Sequence, residues 1–271
     1  FDFILILQVT FTDASTVLKV AREFDKPIGI WAFPEPRLGG RLRLNAFCGL
    51  NLASHSLGLH NLQFSWLYEN PETIHAIEFN KMIKIEKADR KLEAVELPLV
   101  SSKKAKLIKD KISRFRIGKI GNHPEGFDTC KFDTHKLSEL CGIKVDEIEI
   151  ESFFEGAKKV EKEKIEITLN TLNTQLSSLG KVDQGELEMS LKLKTSLEQI
   201  SDEGNYHAFA LRCWPEMFTE YGGAICAPAS IMTENRIPCA CEADVYGAVT
   251  QLILQEVSEK PVFLTDIVDM D

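Results

Sequence analysis

Apolar residues recur at two different spacings along this chain, and the changes between them mark its strands and helices. Residues 3–9 are almost continuously apolar, residues 13–24 repeat apolar side chains at helical intervals, and residues 27–32 form a second apolar run. This succession is typical of a strand, a helix and another strand. Because a connection of this length crosses over the sheet, the two strands are predicted to be parallel.

The same succession returns later in the chain. Further strands are predicted at 114–120, 145–150, 206–212 and 238–241, and further helices at 45–59, 75–92, 134–141, 153–179, 184–200, 217–221 and 245–260. Alternating strands and helices favour parallel sheets that are covered on both faces. We therefore expect an α/β fold with two open, mostly parallel, Rossmann-like domains.

A highly charged stretch from 72 to 111 separates the two series, and its lysine-rich part at 103–106 is interpreted as a solvated helix face. The chain begins with Phe1, inside a strand-like run, and stops at Asp271 soon after an apolar stretch, so we expect a fragment. The predicted domains are 1–102 and 103–258, followed by the start of a truncated C-terminal domain at 259–271.

Two acidic residues end two of the predicted strands. Glu242 follows the run at 238–241, and Asp266 follows a further predicted strand at 261–265. Since parallel strands present their carboxyl ends at one edge of a sheet, the two carboxylates are expected to face one pocket. Such a pair can hold a divalent cation or divide acid and base roles in a proton transfer. The alternative is that Glu242 and Asp244 only terminate the strand and cap the following helix.

The composition restricts the classes of partner. The 271 residues carry a formal net charge of −9, which disfavours nucleic acid, and no apolar stretch reaches the length of a membrane span. Seven cysteines, an odd number, indicate reduced thiols and a cytoplasmic location. Cys239 and Cys241 lack a second pair or a nearby histidine, so buried structural thiols are favoured over a zinc site.

Two loops bear on the chemistry. His123 lies in the loop after the strand at 114–120, where it is better placed for function than the helical histidines, with a purely structural role as the alternative. Gly39 and Gly40 do not form the G-x-G-x-x-G pattern of dinucleotide-binding loops, which disfavours a nicotinamide-dependent oxidoreductase.

Several short segments spread over the chain belong together. They are Val9 to Asp13, Pro34 to Arg37, Asn45 to Asn51, Arg116 to Gly121, Arg212-Cys213-Trp214-Pro215-Glu216, Cys226, Cys241-Glu242-Ala243-Asp244 with Gly247, and Phe263-Leu264-Thr265-Asp266. In combination they resemble the L-fucose isomerase family and, more distantly, L-arabinose isomerases. The resemblance spans most of the chain.

The resemblance implies a metal-dependent aldose–ketose sugar isomerase that works through a cis-enediol. In that family a Glu after one strand and an Asp at the end of the next hold Mn²⁺ and exchange protons with the sugar. The matching positions are Glu242 and Asp266, as catalytic residues and metal ligands, and which of them is the base stays open. The family's third ligand is a histidine nearer the C-terminus, and no histidine follows Asp266 in this sequence. This favours a fragment over a protein that has lost its metal.

Arg212 and Trp214 are predicted substrate contacts at another strand end, with packing in the core as the alternative for Trp214. The resemblance also implies a small-molecule sugar as substrate and a homo-oligomer with the site near an interface. The alternative function is a non-catalytic sugar-binding or regulatory protein on the same fold. The motifs do not identify the sugar, because selectivity depends on the hydroxyl partners in the pocket.

Overall fold

A computed structural model describes residues 1–24, 26–39, 41–85 and 102–270. The chain divides into two compact units. The first comprises Phe1–Pro98, Glu125–Thr129 and Thr265–Asp271, and the second comprises Leu99–Pro124 and Cys130–Leu264. The predicted boundaries of the three domains stay a prediction, and each unit is described by itself.

The first unit is built on three parallel strands. They are β1 (Ile4–Gln8), β2 (Ile28–Ala32) and β3 (Phe64–Tyr68), in the order β1-β2-β3, with the helices α1 (Ser15–Glu23), α2 (Ala46–Leu59) and α3 (Ala76–Ile83). The apolar faces of α1 and α2 pack on the central strand, where Ile28 and Ile30 are buried. The predicted strand, helix and strand of the first 32 residues are confirmed. The end of the predicted helix at 75–92 lies outside the described residues.

The second unit is built on four parallel strands. They are β4 (Arg116–Ile120), β5 (Lys144–Ile148), β6 (Ala208–Leu211) and β7 (Cys239–Ala240), in the order β5-β4-β6-β7. The helices are α4 (Ser102–Ile112), α5 (Thr134–Cys141), α6 (Ile150–Lys158), α7 (Lys162–Gln175), α8 (Gln184–Gly204), α9 (Cys226–Glu234) and α10 (Val245–Ser258). Separate apolar clusters lie on the two faces of this sheet, one with α6 and α8 and one with α4 and α10. Strand β6 is therefore buried from end to end.

Local sequence explains several helix ends in this unit. Asp133 precedes α5 and accepts a hydrogen bond from the Lys136 backbone N–H at 3.0 Å, and Asp183 caps α8 in the same way through the Glu186 N–H at 2.9 Å. Gly142 ends α5 in the left-handed conformation, with φ of 75°. Side-chain caps such as those of Asp133 and Asp183 stabilise a helix by about 1 kcal/mol, and a left-handed glycine is a common helix end.

Three sequence predictions differ from the structure. The helix predicted at 153–179 is two helices, α6 and α7, and the segment Met217–Tyr221 forms one π-helical turn instead of an α-helix. The strand predicted at 261–265 is wrong, because these residues pair with no strand among the described residues. Instead, the Val262 carbonyl accepts a hydrogen bond from the side chain of Gln251 on α10 at 2.7 Å.

The predicted α/β class with parallel sheets is thus confirmed, while the Rossmann-like description of the two domains stays a prediction. None of the described helices combines the length and the apolar character that crossing a membrane requires.

Candidate functional site

The candidate site lies at the carboxyl edge of the second sheet. Strands β6 and β7 are parallel neighbours, with Phe209 paired to Cys239 and Ala210 to Ala240. The residues that follow them, Arg212 and Cys213 after β6 and Glu242 after β7, are consequently brought to the same edge. In open α/β sheets this edge is where ligands bind.

Glu242 occupies a strained turn. Its backbone is left-handed, with φ of 58° and ψ of 21°, and the next residue, Ala243, is also left-handed, with φ of 53°. Residues other than glycine adopt this conformation rarely, and such outliers cluster at functional sites. The unusual backbone indicates that the position of the Glu242 side chain matters for function.

A buried thiol holds the Glu242 carboxylate. The Cys213 Sγ donates a hydrogen bond to Glu242 Oε1 at 3.1 Å. A hydrogen bond with Cys241, burial and the negative charge of Glu242 all raise the pKa of the Cys213 thiol. Cys213 therefore keeps its proton and acts as a neutral donor to the carboxylate, not as a competing anion.

Asp244, two residues later, has a different role. Its Oδ1 accepts a hydrogen bond from the Gly247 backbone N–H at 2.9 Å, which makes it the N-cap of α10. Burial raises the pKa of Asp244 despite this hydrogen bond. The helix-capping interpretation therefore holds for Asp244, whereas the carboxylate of Glu242 meets the Cys213 thiol.

The residues after β6 continue with an ion pair and an exposed ring. Arg212 binds Glu216 through two parallel hydrogen bonds, Nε to Oε2 and Nη2 to Oε1, both 2.5 Å long. Burial acts to raise the pKa of Glu216, but the hydrogen bonds and the charge of Arg212 outweigh it, so that pKa lies below its usual value. Trp214 is 46% exposed and precedes a cis peptide bond to Pro215. Its exposure contradicts packing in the core, and the substrate contact stays a prediction.

Asp266 belongs to the first unit, in a segment over 265–270 that is neither helix nor strand, and its side chain is exposed. Burial and then the negative charge of Asp266 raise the pKa of the Cys48 thiol to about 11, which places the carboxylate beside α2. Close by, Asp269 pairs with Arg37 at 2.9 Å and accepts a hydrogen bond from the Tyr68 hydroxyl. These contacts hold the segment on the first unit. The common pocket for Glu242 and Asp266 stays a prediction, because the two residues lie in different units.

The donor atoms fit Mn²⁺ in kind. Glu242 and Asp266 offer carboxylate oxygens, which hard divalent cations prefer. Within the parts of the chain that the structure describes, no group of three or more His, Cys, Asp or Glu side chains is arranged to hold a metal ion. Cys239 is buried, and its thiol pKa is raised by that burial, as expected for a structural thiol. The metal role of Glu242 and Asp266 stays a prediction.

Two residues of this edge were missed by the sequence predictions. One is Cys213, and the other is Lys119 on β4, whose Nζ lies 2.7 Å from Asn122 Oδ1 and 3.0 Å from Glu147 Oε1. A lysine inside the otherwise apolar run Ile117–Ile120 was the available signal for the second. The predicted residue His123 follows Asn122 and is half-buried, and its carbonyl accepts a hydrogen bond from Arg212 Nη1 at 3.3 Å.

Comparison with known proteins connects this geometry to a family. Residues 1–85 match the N-terminal domain of the fucose/sulfoquinovose isomerases. Over 271 residues the whole chain is 29% identical to the sulfoquinovose isomerase of Alkalicoccus urumqiensis and covers 57% of that protein. It is 26% identical to the sulfoquinovose isomerase of Priestia megaterium, of which it covers 56%, and 24% identical to that of a Clostridium species, of which it covers 57%. The chain thus spans little more than half the length of these relatives. The predicted resemblance to the L-fucose isomerase family is confirmed.

Proposed function

We propose that this protein interconverts an aldose and a ketose. Residues 1–85 match the N-terminal domain of the fucose/sulfoquinovose isomerases, which supports this proposal. The relatives that match the whole chain are named for sulfoquinovose, which makes this sugar the first substrate to test. The observation that carries the proposal is the strained turn at the carboxyl edge of the second sheet, which presents the Glu242 carboxylate against the Cys213 thiol.

The chemistry of the turn suits a proton transfer. Isomerisation of an aldose moves a proton between adjacent carbons through an enediol, and a carboxylate in hydrogen-bonding reach of the sugar can carry that proton. We assign this proton transfer to Glu242. The Cys213 thiol keeps the carboxylate oriented, since the raised pKa of the thiol preserves its hydrogen.

The second carboxylate is assigned to Asp266. Glu242 and Asp266 would hold Mn²⁺, or another divalent cation, with further ligands beyond the groups described. When bound, the cation supplies Lewis acidity, which stabilises the negative charge that develops on the sugar oxygens. Trp214 is assigned to the apolar face of the sugar, which its exposed ring can cover.

The proposal is tested by replacing Glu242 with Gln. The amide keeps the shape of the side chain but cannot accept the proton, so isomerisation of sulfoquinovose in the presence of Mn²⁺ should fall by about 10²- to 10⁴-fold. Glu256→Gln is the matched control, because Glu256 lies on α10 in a pair with Lys111 and takes no part in the site. Retained activity in Glu242→Gln would remove this residue from the mechanism. A full-length protein that binds the sugar in the presence of Mn²⁺ without converting it would establish the non-catalytic alternative.

Asp266→Asn tests the metal assignment separately. A neutral amide oxygen is a poorer ligand for a hard cation than a carboxylate, so the Mn²⁺ midpoint should rise, and excess Mn²⁺ should restore part of the activity. The measurement is a Mn²⁺ titration followed by electron paramagnetic resonance, with circular dichroism to verify folding. An unchanged midpoint would exclude Asp266 as a ligand.

A further inference from the structure

Arg212 makes four hydrogen bonds at the carboxyl edge of the second sheet. Its Nε and Nη2 both donate to Glu216, and its Nη1 donates to two backbone carbonyls, that of Asn122 at 2.9 Å and that of His123 at 3.3 Å. Each of the three guanidinium nitrogens is therefore already bonded within the protein. The side chains of Arg212 and Glu216 are only 18% and 20% exposed. A fork bound in this way is preorganised and has little freedom to follow a ligand.

The two carbonyls belong to the turn that leaves β4. Gly121 begins this turn with φ of 70°, and a Cβ atom there would lie 3.0 Å from Cβ and 3.3 Å from Cδ of Arg212. Only glycine combines the left-handed backbone with such a close approach. The turn and the arginine are thus packed directly on each other, and the fit depends on both.

A second cationic side chain, that of Lys119, holds the same turn through the side chain of Asn122. Lys119 is 4% exposed, and its Nζ bonds the Asn122 side chain at 2.7 Å, while Glu147 on β5 partners the ammonium group at 3.0 Å. Residues 121–123 are consequently fixed at the backbone by Arg212 and at a side chain by Lys119. Burying a charged donor is costly unless it is well bonded. Two such donors at one turn therefore indicate that the position of the turn matters.

The position of Arg212 in the chain links the turn to the proposed site. Arg212 directly precedes Cys213, whose thiol holds Glu242. The end of β6 therefore contacts the turns that follow both neighbouring strands. Arg212 binds the turn after β4, and Cys213 binds Glu242 in the turn after β7. A shift of the Arg212 side chain changes the separation between the turn at 121–123 and the Glu242 carboxylate.

We propose that Arg212, locked by Glu216, is a positioning residue that fixes the turn at residues 121–123 against the site, and that it is not a contact to the sugar. This inference rests on the proposed isomerase function, and it replaces the substrate role predicted for Arg212. The turn carries His123 at this edge, so the clamp sets the position of the histidine at the carboxyl end of β4.

The test compares Arg212→Lys and Glu216→Gln with Arg236→Lys. Arg212→Lys keeps the positive charge but loses the planar guanidinium group with its several donors. Glu216→Gln keeps the shape of the side chain but loses the negative charge that holds the guanidinium group. Arg236 is the matched control, because it also donates from Nη1 to a carbonyl, that of Glu259 at 2.9 Å, away from the site. Backbone ¹⁵N order parameters of Asn122 and His123 are measured in each protein, together with kcat and KM for sulfoquinovose.

We expect order parameters of about 0.85 for both residues in the wild type and in Arg236→Lys, and a fall to about 0.6 in the other two variants. Both of those variants should lose about 10-fold or more in kcat with little change in KM, and the double variant should be no worse than the poorer single one. Glu216→Asp, which shortens the acid but keeps its charge, should lie between Glu216→Gln and the wild type.

Unchanged order parameters in Arg212→Lys would overturn the inference. So would a raised KM in Arg212→Lys that Glu216→Gln does not share, since this pattern identifies a direct substrate contact. Absence of isomerase activity in the wild type contradicts the proposed function only, because the order parameters still report whether the clamp holds the turn.

Discussion

The two sheets start from similarly apolar strands but are covered differently. In the first unit, the first four residues of the edge strand β1 alternate between half-buried and exposed, and Leu7 is 53% exposed. In the second unit, all four residues of β6 are fully buried, and apolar clusters lie on both faces of the sheet. An apolar run in the sequence therefore predicts a strand but does not tell how many of its faces are covered. That depends on helices supplied from elsewhere in the chain.

The difference matters for the site. Arg212, Cys213 and Glu242 lie one or two residues after strands of the second sheet, which is covered by apolar clusters on both faces. Functional groups need such a rigid support to stay within fractions of an ångström of their working positions. Asp266, by contrast, lies on a segment of the first unit that is neither helix nor strand and that is held by side-chain contacts.

The largest expected effect on the free energy of unfolding compares a buried residue of β6 with an exposed residue of β1. Phe209→Ala removes a ring that is completely buried on β6 and should destabilise the second unit by about 3–5 kcal/mol. The matched change in the first unit, Leu7→Ala, removes an exposed side chain and should cost about 0.5 kcal/mol. Urea unfolding followed by fluorescence can separate the units, since Trp214 lies in the second and Trp31 and Trp66 lie in the first. Similar losses for the two variants would show that β1 is covered as well as β6.

A smaller effect is expected from one glycine in each sheet. The methyl group of Gly118→Ala would lie 2.7 Å from the ring of Phe209, which is fully buried and cannot move, so we expect a loss of about 1–3 kcal/mol. In Gly29→Ala the methyl group would lie 2.5 Å from the ring of Phe3.

Phe3 is half-buried and precedes β1, so its ring can turn aside at small cost. The entropy that alanine removes from the unfolded chain offsets part of that cost, by about 0.4–1 kcal/mol. Gly29→Ala should therefore be nearly neutral in the same unfolding measurement. A loss equal to that of Gly118→Ala would mean that Phe3 is packed as rigidly as Phe209.

Sequence periodicity predicted the helices and strands whose apolar residues recur at regular spacing. The crossover from β1 through α1 to β2 and the helix α10 were predicted because their apolar residues recur at a regular spacing. Strand β3 was missed although it is as long as β1 and β2, because Ser65 interrupts its apolar residues. The strand predicted at 261–265 was wrong for a different reason: pairing needs a free neighbouring strand edge, which a local pattern does not report.

The site was predictable only in part. The positions of Glu242 and Arg212 after strands followed from the pattern, but their partners did not. The contact between Cys213 and Glu242 joins the ends of two strands that are 29 residues apart in sequence, and the strand order that brings them together is a property of the whole sheet. The left-handed backbone at Glu242 was likewise hidden, because the residue type does not favour it.

The smallest expected effects concern one ion pair in each unit. In the second unit, Arg212 and Glu216 are both mostly buried, whereas in the first unit Arg37, the partner of Asp269, is 64% exposed. Salt screens exposed charges more strongly than buried ones. The loss of stability in Asp269→Asn should therefore shrink when NaCl is raised from low to physiological concentration, while the loss in Glu216→Gln should stay nearly constant. Asparagine still offers an oxygen to the Tyr68 hydroxyl, so the first variant mainly removes the charge.

The pair in the second unit also gives a definite pH dependence. Because the pKa of Glu216 is lowered in the folded protein, the ionised carboxylate stabilises the fold at every pH above the unfolded value of about 4.3. That contribution is lost as the pH falls through the lower folded pKa. The difference in unfolding free energy between wild type and Glu216→Gln should thus be constant from pH 7 to about 5 and should decrease below about 4.3. Denaturant unfolding at a series of pH values measures it, and a difference that grows on acidification would mean that Arg212 does not stabilise the charged form.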